Sequence, residues 1–287
     1  MAKVGYTLLG MDLRRVFDGV FHVIAATHFI RLETPMIFRM MALALLWSAV
    51  LSANTVAAPQ GNSVNNIVLV HGAFVDGSGW RAVADILRKD GFMVSVVQQP
   101  MTSLEEDVVA TTRILDRQSG PTVLVGHSYG GVVITEAGKH ANVVSLVYVA
   151  AYAPDDGEHV RSLRSTKPPL ASSTAPTVDG YLLIDRKSFH ADFAADIPAA
   201  DAQFMALAQM PTNAKAFATP VTSAAWKTKP SYGIVATQDR MINPDLERTM
   251  YARAKAKVTE VKASHAVLIS QPRAVALVIK QAAREAK

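Results

Sequence analysis

The sequence predicts an α/β protein with a mostly parallel sheet that is covered by helices on both faces. After residue 60, short apolar runs rich in β-branched residues alternate with stretches of helical periodicity. This alternation is typical of parallel sheets, because the crossover connections place helices against both faces. The chain has 287 residues and is 50% apolar, which is enough for one such domain and an additional segment.

The strands and helices follow from apolar periodicity and from their end signals. The predicted strands are Ile67–Val70, Met93–Val97, Thr122–Val125, Val143–Val149, Tyr232–Ala236 and Val258–Val261. The predicted helices are Gly79–Lys89, Leu104–Arg117, Val132–Lys139, Pro244–Lys255 and Pro272–Arg284. Ser103 and Glu106 form a capping-box pattern at the start of the second helix.

The alternation breaks between Ala153 and Lys229. This stretch is rich in proline and holds short helical pieces such as Ala199–Gln209, but it shows no clear strand pair. We therefore expect a small helical cap, at about residues 154–229, inserted over the C-terminal edge of the sheet.

The first 58 residues predict a targeting segment. The apolar run Met40–Leu51 follows Arg39 and precedes small residues that end at Ala58. This order is typical of a secretory signal, and the run is too short to span a bilayer comfortably. Residues 1–58 are thus interpreted as an N-terminal extension with a signal peptide, and residues 59–287 as the folded domain.

From this signal peptide we expect a periplasmic or secreted protein that has no stable membrane span in its mature form. A membrane anchor is the alternative interpretation, and a cytoplasmic location would follow if the segment is not functional. Met36 is an alternative start, because residues 1–35 do not resemble the positive region of a signal.

Composition excludes several classes of function. The net charge of +5 is spread without a Lys/Arg run, so nucleic-acid binding is not expected. The chain has no cysteine, which excludes disulfides, thiolate metal sites and a cysteine nucleophile. It has no His-x-x-x-His pair and no phosphate-binding Gly-x-x-x-x-Gly-Lys, and we expect neither a metal nor a cofactor. No sequence feature indicates an oligomeric state.

The pentapeptide Gly126-His127-Ser128-Tyr129-Gly130 carries the first catalytic prediction. It lies between a predicted strand and a predicted helix, which is the setting of a nucleophile elbow. The strained turn exposes the serine hydroxyl, and the flanking glycines remove side chains that would collide there. A tight turn without catalysis would not require a serine at its tip, so Ser128 is the candidate nucleophile.

A serine nucleophile requires a base, and the base requires an orienting acid. His265 follows the last predicted strand, and Asp239 follows the strand before it. The chain order Ser, Asp, His is the order expected for this strand–turn–helix arrangement. Asp155 and Asp156 are the competing acids, and Asp239 is preferred.

The oxyanion of an acyl-transfer intermediate requires preorganised N–H donors. One candidate is the backbone N–H of Tyr129, which directly follows the nucleophile. The second is the N–H of Ala73, in the loop after the first strand, with Phe74 as the other choice. Gly72 would let this loop approach the substrate closely.

We expect an apolar substrate pocket beneath the cap. The preferred lining residues are Phe74, Tyr152, Phe189 and Trp226, and the other candidates are Tyr129, Phe193, Phe204, Met205 and Met210. Ordinary packing is the alternative role for each of them.

These motifs together resemble the α/β-hydrolase superfamily. The resemblance rests on His71-Gly72-Ala73, Gly126-His127-Ser128-Tyr129-Gly130-Gly131, Asp239 and Ser264-His265 in this order. The compact cap and the run Val147–Pro154 resemble the branch of plant methyl-salicylate-type esterases, hydroxynitrile lyases and bacterial pyrethroid-type esterases. The resemblance implies an α/β-hydrolase fold and a cofactor-free hydrolase that acts on carboxylic esters.

Two departures separate the chain from the lyases of that branch. Those lyases carry a threonine where this chain has Gly72, and a lysine where it has Ala266. The leading functional hypothesis is therefore hydrolysis of small carboxylic esters through an acyl-enzyme. The alternatives are a cofactor-free C–C hydrolase or lyase on the same triad, and a non-catalytic protein that binds a small ligand.

Overall fold

The computed structural model describes residues 64–286, and the predicted signal peptide lies outside the described residues. The strands are β1 (Asn66–Val70), β2 (Met93–Val97), β3 (Thr122–Ser128), β4 (Val143–Ala151), β5 (Thr174–Pro176), β6 (Tyr181–Ile184), β7 (Thr212–Asn213), β8 (Ser231–Ala236) and β9 (Lys257–Val261). The helices are α1 (Arg81–Lys89), α2 (Leu104–Leu115), α3 (Gly130–Ala137), α4 (Val160–Thr166), α5 (Phe189–Phe193), α6 (Ala199–Leu207), α7 (Pro244–Arg253), α8 (Val267–Ser270) and α9 (Pro272–Glu285). Short 3₁₀ helices cover Gly77–Trp80 and Ala225–Lys227.

The large sheet has the strand order β2-β1-β3-β4-β8-β9, and every pairing in it is parallel. The predicted α/β architecture with a parallel sheet is confirmed. Because all strands run in one direction, the loops after β3, β8 and β9 leave the sheet at the same edge. This edge, near the point where the strand order reverses beside β1, is where parallel sheets place their ligands.

Two apolar cores cover the two faces of the sheet. One contains Trp80 and Leu87, with Val275 and Ile279 from α9. The other contains residues of α2, α3 and α7 together with Phe193 and other side chains from the segment between β4 and β8. That segment is therefore packed into the same core as the sheet.

The start of α2 shows how a local signal defines an element. Ser103 has extended backbone angles, and its hydroxyl accepts a hydrogen bond from the N–H of Glu106 at 3.2 Å, as the capping pattern predicts. The Glu106 carboxylate instead accepts from the hydroxyl of Thr102. In a complete capping box, the Glu106 side chain would accept from the backbone N–H of Ser103. Here the hydroxyl of Thr102 takes the place of that N–H donor.

The segment between β4 and β8 is not purely helical, and the expectation that it lacks a strand pair was wrong. Strands β5, β6 and β7 form a small antiparallel sheet beside α4, α5 and α6. A turn at Gly180, whose φ of 84° favours glycine, joins β5 to β6. These strands have only two to four residues, which is too short for a readable alternation of apolar and polar positions.

None of the helices in the described part of the chain is both long and apolar enough to cross a membrane.

Candidate active site

Ser128 occupies a strained turn between β3 and α3. Its φ is 54°, in the left-handed region that is costly for a residue with a side chain. A Cβ on Gly126 would lie 2.5 Å from the carbonyl oxygen of Gly130, and a Cβ on Gly130 would lie 2.5 Å from that of His71. The glycines of the pentapeptide are therefore required by backbone contacts that hold this turn.

The structure brings the three predicted side chains together in one hydrogen-bonded row. Nε2 of His265 lies 2.9 Å from Oγ of Ser128, and its Nδ1 lies 2.6 Å from Oδ2 of Asp239. Because the carboxylate can only accept, Nδ1 carries the hydrogen and Nε2 is left to accept the serine proton. His265 and Asp239 are buried, and Ser128 is 7% exposed.

The carboxylate of Asp239 is held in a single orientation by its own loop. Its Oδ1 accepts hydrogen bonds from the N–H groups of Met241 and Ile242 at 2.7 and 2.9 Å. The competing acids lie elsewhere, because Asp155 and Asp156 pair with Lys227 at 2.5 and 2.9 Å.

The His265 loop is fixed from two sides. Nε2–H of His127 donates to the carbonyl oxygen of His265 at 2.9 Å, and the N–H of Ala266 donates to the carbonyl of Phe193 at 3.1 Å. Complete burial lowers the pKa of His127 well below its ordinary value, so this histidine stays neutral. The ring of Phe193 also packs edge-on against His265, with centroids 4.9 Å apart.

The two predicted oxyanion donors belong to segments that lie next to Ser128. Tyr129 follows it directly, and Gly72 brings the Ala73 loop so close that a Cβ on Gly72 would be 2.7 Å from Cβ of Ser128. Among the described residues, no hydrogen bond engages the N–H of Ala73 or of Tyr129. The N–H of Phe74, the other choice, donates to the Thr212 hydroxyl at 3.2 Å and is not available.

We expect Gly72→Ala to lower kcat/KM by about 10²-fold or more, because a misplacement of about 1 Å near the reacting atoms has that effect. The added methyl group would meet Cβ of Ser128 at 2.7 Å and Nδ1 of His127 at 3.0 Å, and the Ala73 N–H would have to move. Steady-state kinetics with an activated ester measure the loss. An unchanged kcat/KM in a folded variant would show that this loop does not serve the reaction.

Asp107 is a buried residue of the site that the sequence analysis missed. Its Oδ2 accepts from the hydroxyl of Tyr129 at 2.9 Å, and its Oδ1 accepts from the N–H of Met101 at 2.9 Å. It thereby anchors the side chain of the residue whose backbone is a predicted oxyanion donor. Burial raises the pKa of Asp107 to about 6. The available signal was its position three residues after Leu104, on the buried face of α2.

This raised pKa predicts a pH-dependent stability. The pKa of Asp107 is about 6 in the folded state and about 4 in the unfolded chain. Between these two pH values the unfolded chain loses this proton more readily, so the free energy of unfolding falls as the pH rises. We expect Asp107→Asn to gain stability relative to wild type over that window, by up to about 1.4 kcal/mol per pH unit. Urea unfolding at several pH values measures the difference, with the exposed Asp201→Asn as control. A pH-independent difference would contradict the prediction.

A cavity of about 760 Å³ adjoins this site. Its wall includes His127 and Phe193, whose rings lie 4.7 and 4.9 Å from that of His265, whereas Ser128 itself does not line it. The apolar part of the wall consists of Phe74, Val75, Ala82, Phe193, Phe204, Met205, Ala208, Leu268 and Ile269. The charged residues are Asp76, Asp85, Asp201 and Arg81.

Three of the four preferred pocket residues do not line this cavity, and only Phe74 does. Phe189 stacks on Phe193 in the core, with centroids 4.9 Å apart, and Tyr152 is buried in the same core. Nε1 of Trp226 donates to the carbonyl of Pro154 at 2.7 Å, which fixes its indole away from the cavity. Of the other candidates, Phe193, Phe204 and Met205 line it, while Tyr129 and Met210 do not.

The part of the wall that follows His265 was also missed. Leu268 and Ile269 lie on α8, which begins two residues after that histidine. Among the described residues, no group of three or more His, Asp or Glu side chains is placed to hold a metal ion.

Comparison with known proteins identifies the family. Residues 67–277 match the model of the alpha/beta hydrolase family. A carbendazim-hydrolysing esterase of Nocardioides is 37% identical over 112 residues, which are 34% of this chain and 46% of that esterase. An alpha/beta hydrolase of Aspergillus novofumigatus is 26% identical over 249 residues, which are 77% of this chain and 97% of that protein.

Solved structures share the fold at low sequence identity. A pyrethroid hydrolase of Sphingobium faniae is 23% identical with a TM-score of 0.64, and the match covers 77% of this chain and 98% of that one. Tomato methylketone synthase I is 16% identical with a TM-score of 0.68, and the match covers 78% and 99%. Together with the family match over most of the described residues, these similarities place the chain in the alpha/beta hydrolase family.

Proposed function

We propose that this protein is a serine hydrolase that cleaves small carboxylic esters through an acyl-enzyme intermediate. The observation that carries the proposal is the row of hydrogen bonds from Ser128 through His265 to Asp239, at 2.9 and 2.6 Å. The carbendazim-hydrolysing esterase and the pyrethroid hydrolase to which the chain is similar support ester hydrolysis in general.

The row supplies the parts of an acyl-transfer reaction. Nε2 of His265 accepts the Ser128 proton as Oγ attacks the ester carbonyl, and Asp239 stabilises the imidazolium that forms. The N–H groups of Tyr129 and Ala73 donate to the oxyanion of the tetrahedral intermediate. The imidazolium then protonates the departing alcohol, and a water molecule activated by the same imidazole releases the acid.

The residues that line the cavity favour ester substrates that have an apolar group and no negative charge. Its surface is mainly aromatic and aliphatic, and its charged lining residues are three aspartates and a single arginine, Arg81. An anionic substrate would be repelled by this excess of negative charge. Two similar proteins are named for the hydrolysis of carbendazim and of pyrethroids, and for this protein we propose uncharged esters that carry an apolar group.

Lyase chemistry has less support in this chain. A threonine at Gly72, as in the lyases that the chain resembles, would place its Cβ 2.7 Å from that of Ser128. The position after the histidine holds Ala266, which is buried and offers no cation to a leaving cyanide.

The proposal is tested by pre-steady-state hydrolysis of p-nitrophenyl butyrate. We expect a burst of p-nitrophenol close to one equivalent per enzyme, followed by slower turnover limited by release of the acid. An ester of equal length that ends in a carboxylate, p-nitrophenyl hemisuccinate, is the matched control and should have a lower kcat/KM. Absence of ester turnover, together with activity on cyanohydrins or diketones, would overturn the proposal.

We also propose that the mature protein is exported after cleavage near Ala58, on the signal pattern of Met40–Leu51. N-terminal sequencing of the protein recovered from the periplasm or medium tests this, and an intact Met1 would contradict it.

A further inference from the structure

A second carboxyl group lies behind the catalytic acid. Glu247 is on α7, one turn from its start, and its side chain is completely buried against the end of β8. Its Oε2 accepts a hydrogen bond from the N–H of Ala236 at 3.2 Å, and the N–H of Asp239 donates to the carbonyl oxygen of the same Ala236 at 3.0 Å, so the two acidic residues lie beside each other. Its Oε1 is buried and has no donor among the described residues.

The contact between the carboxyl groups of Asp239 and Glu247 contains no N–H donor. Oδ1 already accepts from Met241 and Ile242, and Oδ2 accepts from Nδ1 of His265. Two ionised carboxylates could only repel each other in this contact, because neither has a proton to donate. A proton on one of them converts the contact into a hydrogen bond.

No cation in the described part of the chain is paired with Glu247. Arg248, the next residue in the chain, pairs instead with Glu260 at 2.7 Å and with Asp245 at 2.7 Å. The other titratable groups that face Glu247 are the buried phenols of Tyr152, after β4, and of Tyr251, one turn along α7. Burial and the neighbouring Asp239 carboxylate raise the pKa of Glu247 well above its ordinary value.

We propose that Glu247 is a positioning residue that stays protonated and donates a hydrogen bond to Asp239, so that the Asp239–Glu247 pair carries one negative charge beside His265. This inference rests on the proposed serine hydrolase function. The shared contact limits how strongly Asp239 attracts the imidazole proton, and it adds a further hydrogen bond that holds the carboxylate in place. No step consumes the Glu247 proton, which remains on this side chain throughout turnover.

Two replacements separate this role from packing. In Glu247→Gln the amide is always neutral, can donate to Asp239 and can accept from Ala236, whereas Glu247→Leu has similar volume and no donor. We expect the glutamine variant to keep kcat within about threefold and the acid limb of the kcat/KM profile within about 0.3 pH units. We expect the leucine variant to lose about tenfold in kcat and the acid limb of its kcat/KM profile to move to higher pH. Without the hydrogen bond from residue 247, the full negative charge of Asp239 acts on the imidazole of His265 and stabilises its protonated form.

The opposite results would overturn the proposal. If Glu247 is ionised, Glu247→Gln removes a charge near the imidazole and moves the acid limb to lower pH by about one unit or more. If its role is packing alone, a folded Glu247→Leu keeps both the profile and kcat of wild type.

An infrared measurement tests the protonation state without using activity. At pH 7.5, the difference spectrum of wild type minus Glu247→Gln should show the C=O stretch of a protonated, buried carboxyl group. This band would persist even if the protein had no esterase activity, so failure of this inference and failure of the proposed function are distinguishable. Absence of the band, with the bands of an ionised carboxylate in its place, would contradict a protonated Glu247.

Discussion

Replacement of Ser128 by alanine is expected to lower kcat for ester hydrolysis roughly 10⁶-fold, the scale measured for the nucleophile of subtilisin. The hydroxyl lies 2.9 Å from Nε2 of His265, and no other hydroxyl in the described part of the chain is bonded to that nitrogen. Residual activity would come from the oxyanion donors and the cavity alone, so KM should change little.

The matched control for this change is Ser270→Ala. Ser270 also carries a buried hydroxyl, at the end of α8, but that hydroxyl has no hydrogen-bond partner among the described residues. We expect it to retain kcat within about threefold, because its removal leaves no group unpaired. Retention of ester turnover by Ser128→Ala, or an equal loss in both variants, would exclude Ser128 as the nucleophile.

Asp239→Asn is expected to lower kcat about 10⁴-fold, as the same change does in serine proteases. The amide can turn its N–H₂ toward Nδ1 of His265 and donate a hydrogen bond to it. The ring hydrogen of His265 is then on Nε2, the nitrogen that faces Ser128. That tautomer cannot accept the serine proton. The N–H groups of Met241 and Ile242 would still bind the amide oxygen, so the fold should be preserved.

Asp155→Asn is the control that tests the competing assignment from the sequence. Asp155 lies in a surface ion pair with Lys227, away from the histidine, and its replacement should change kcat by less than about threefold. A large loss in Asp155→Asn together with a small loss in Asp239→Asn would reverse the assignment of the acid.

The sequence was sufficient to predict the row of three side chains because topology determines where they meet. Ser128 ends a strand of the parallel sheet, Asp239 and His265 follow two others, and the carboxyl ends of parallel strands share one edge. Their chain order then restricts the pairing. Periodicity alone located the strands well enough for this inference, even where their ends differ by a few residues.

The pocket could not be predicted in the same way, because an aromatic residue type does not determine the direction of its side chain. Phe189 and Phe193 lie four residues apart on one short helix, yet only Phe193 reaches the cavity. Trp226 is turned away by a single hydrogen bond to a backbone carbonyl. Such orientations depend on contacts between residues that are distant in sequence.

Asp107 and Glu247 were missed for a related reason. Each is an acidic residue on the buried face of an amphipathic helix, beside Leu104 in α2 and Leu246 in α7. An acidic residue at such a position indicates a buried hydrogen-bond partner, because an unpaired carboxylate is costly there. The partners themselves, Tyr129 and Asp239, are recognisable only after the helices are packed on the sheet.

The most direct test of the central claim, that His265 activates Ser128, is labelling with a fluorophosphonate followed by peptide mass spectrometry. We expect wild type to take up one equivalent, mapped to Ser128, and His265→Ala to react at least about 10³-fold more slowly. An adduct on a different residue, or labelling of His265→Ala at the wild-type rate, would contradict the account.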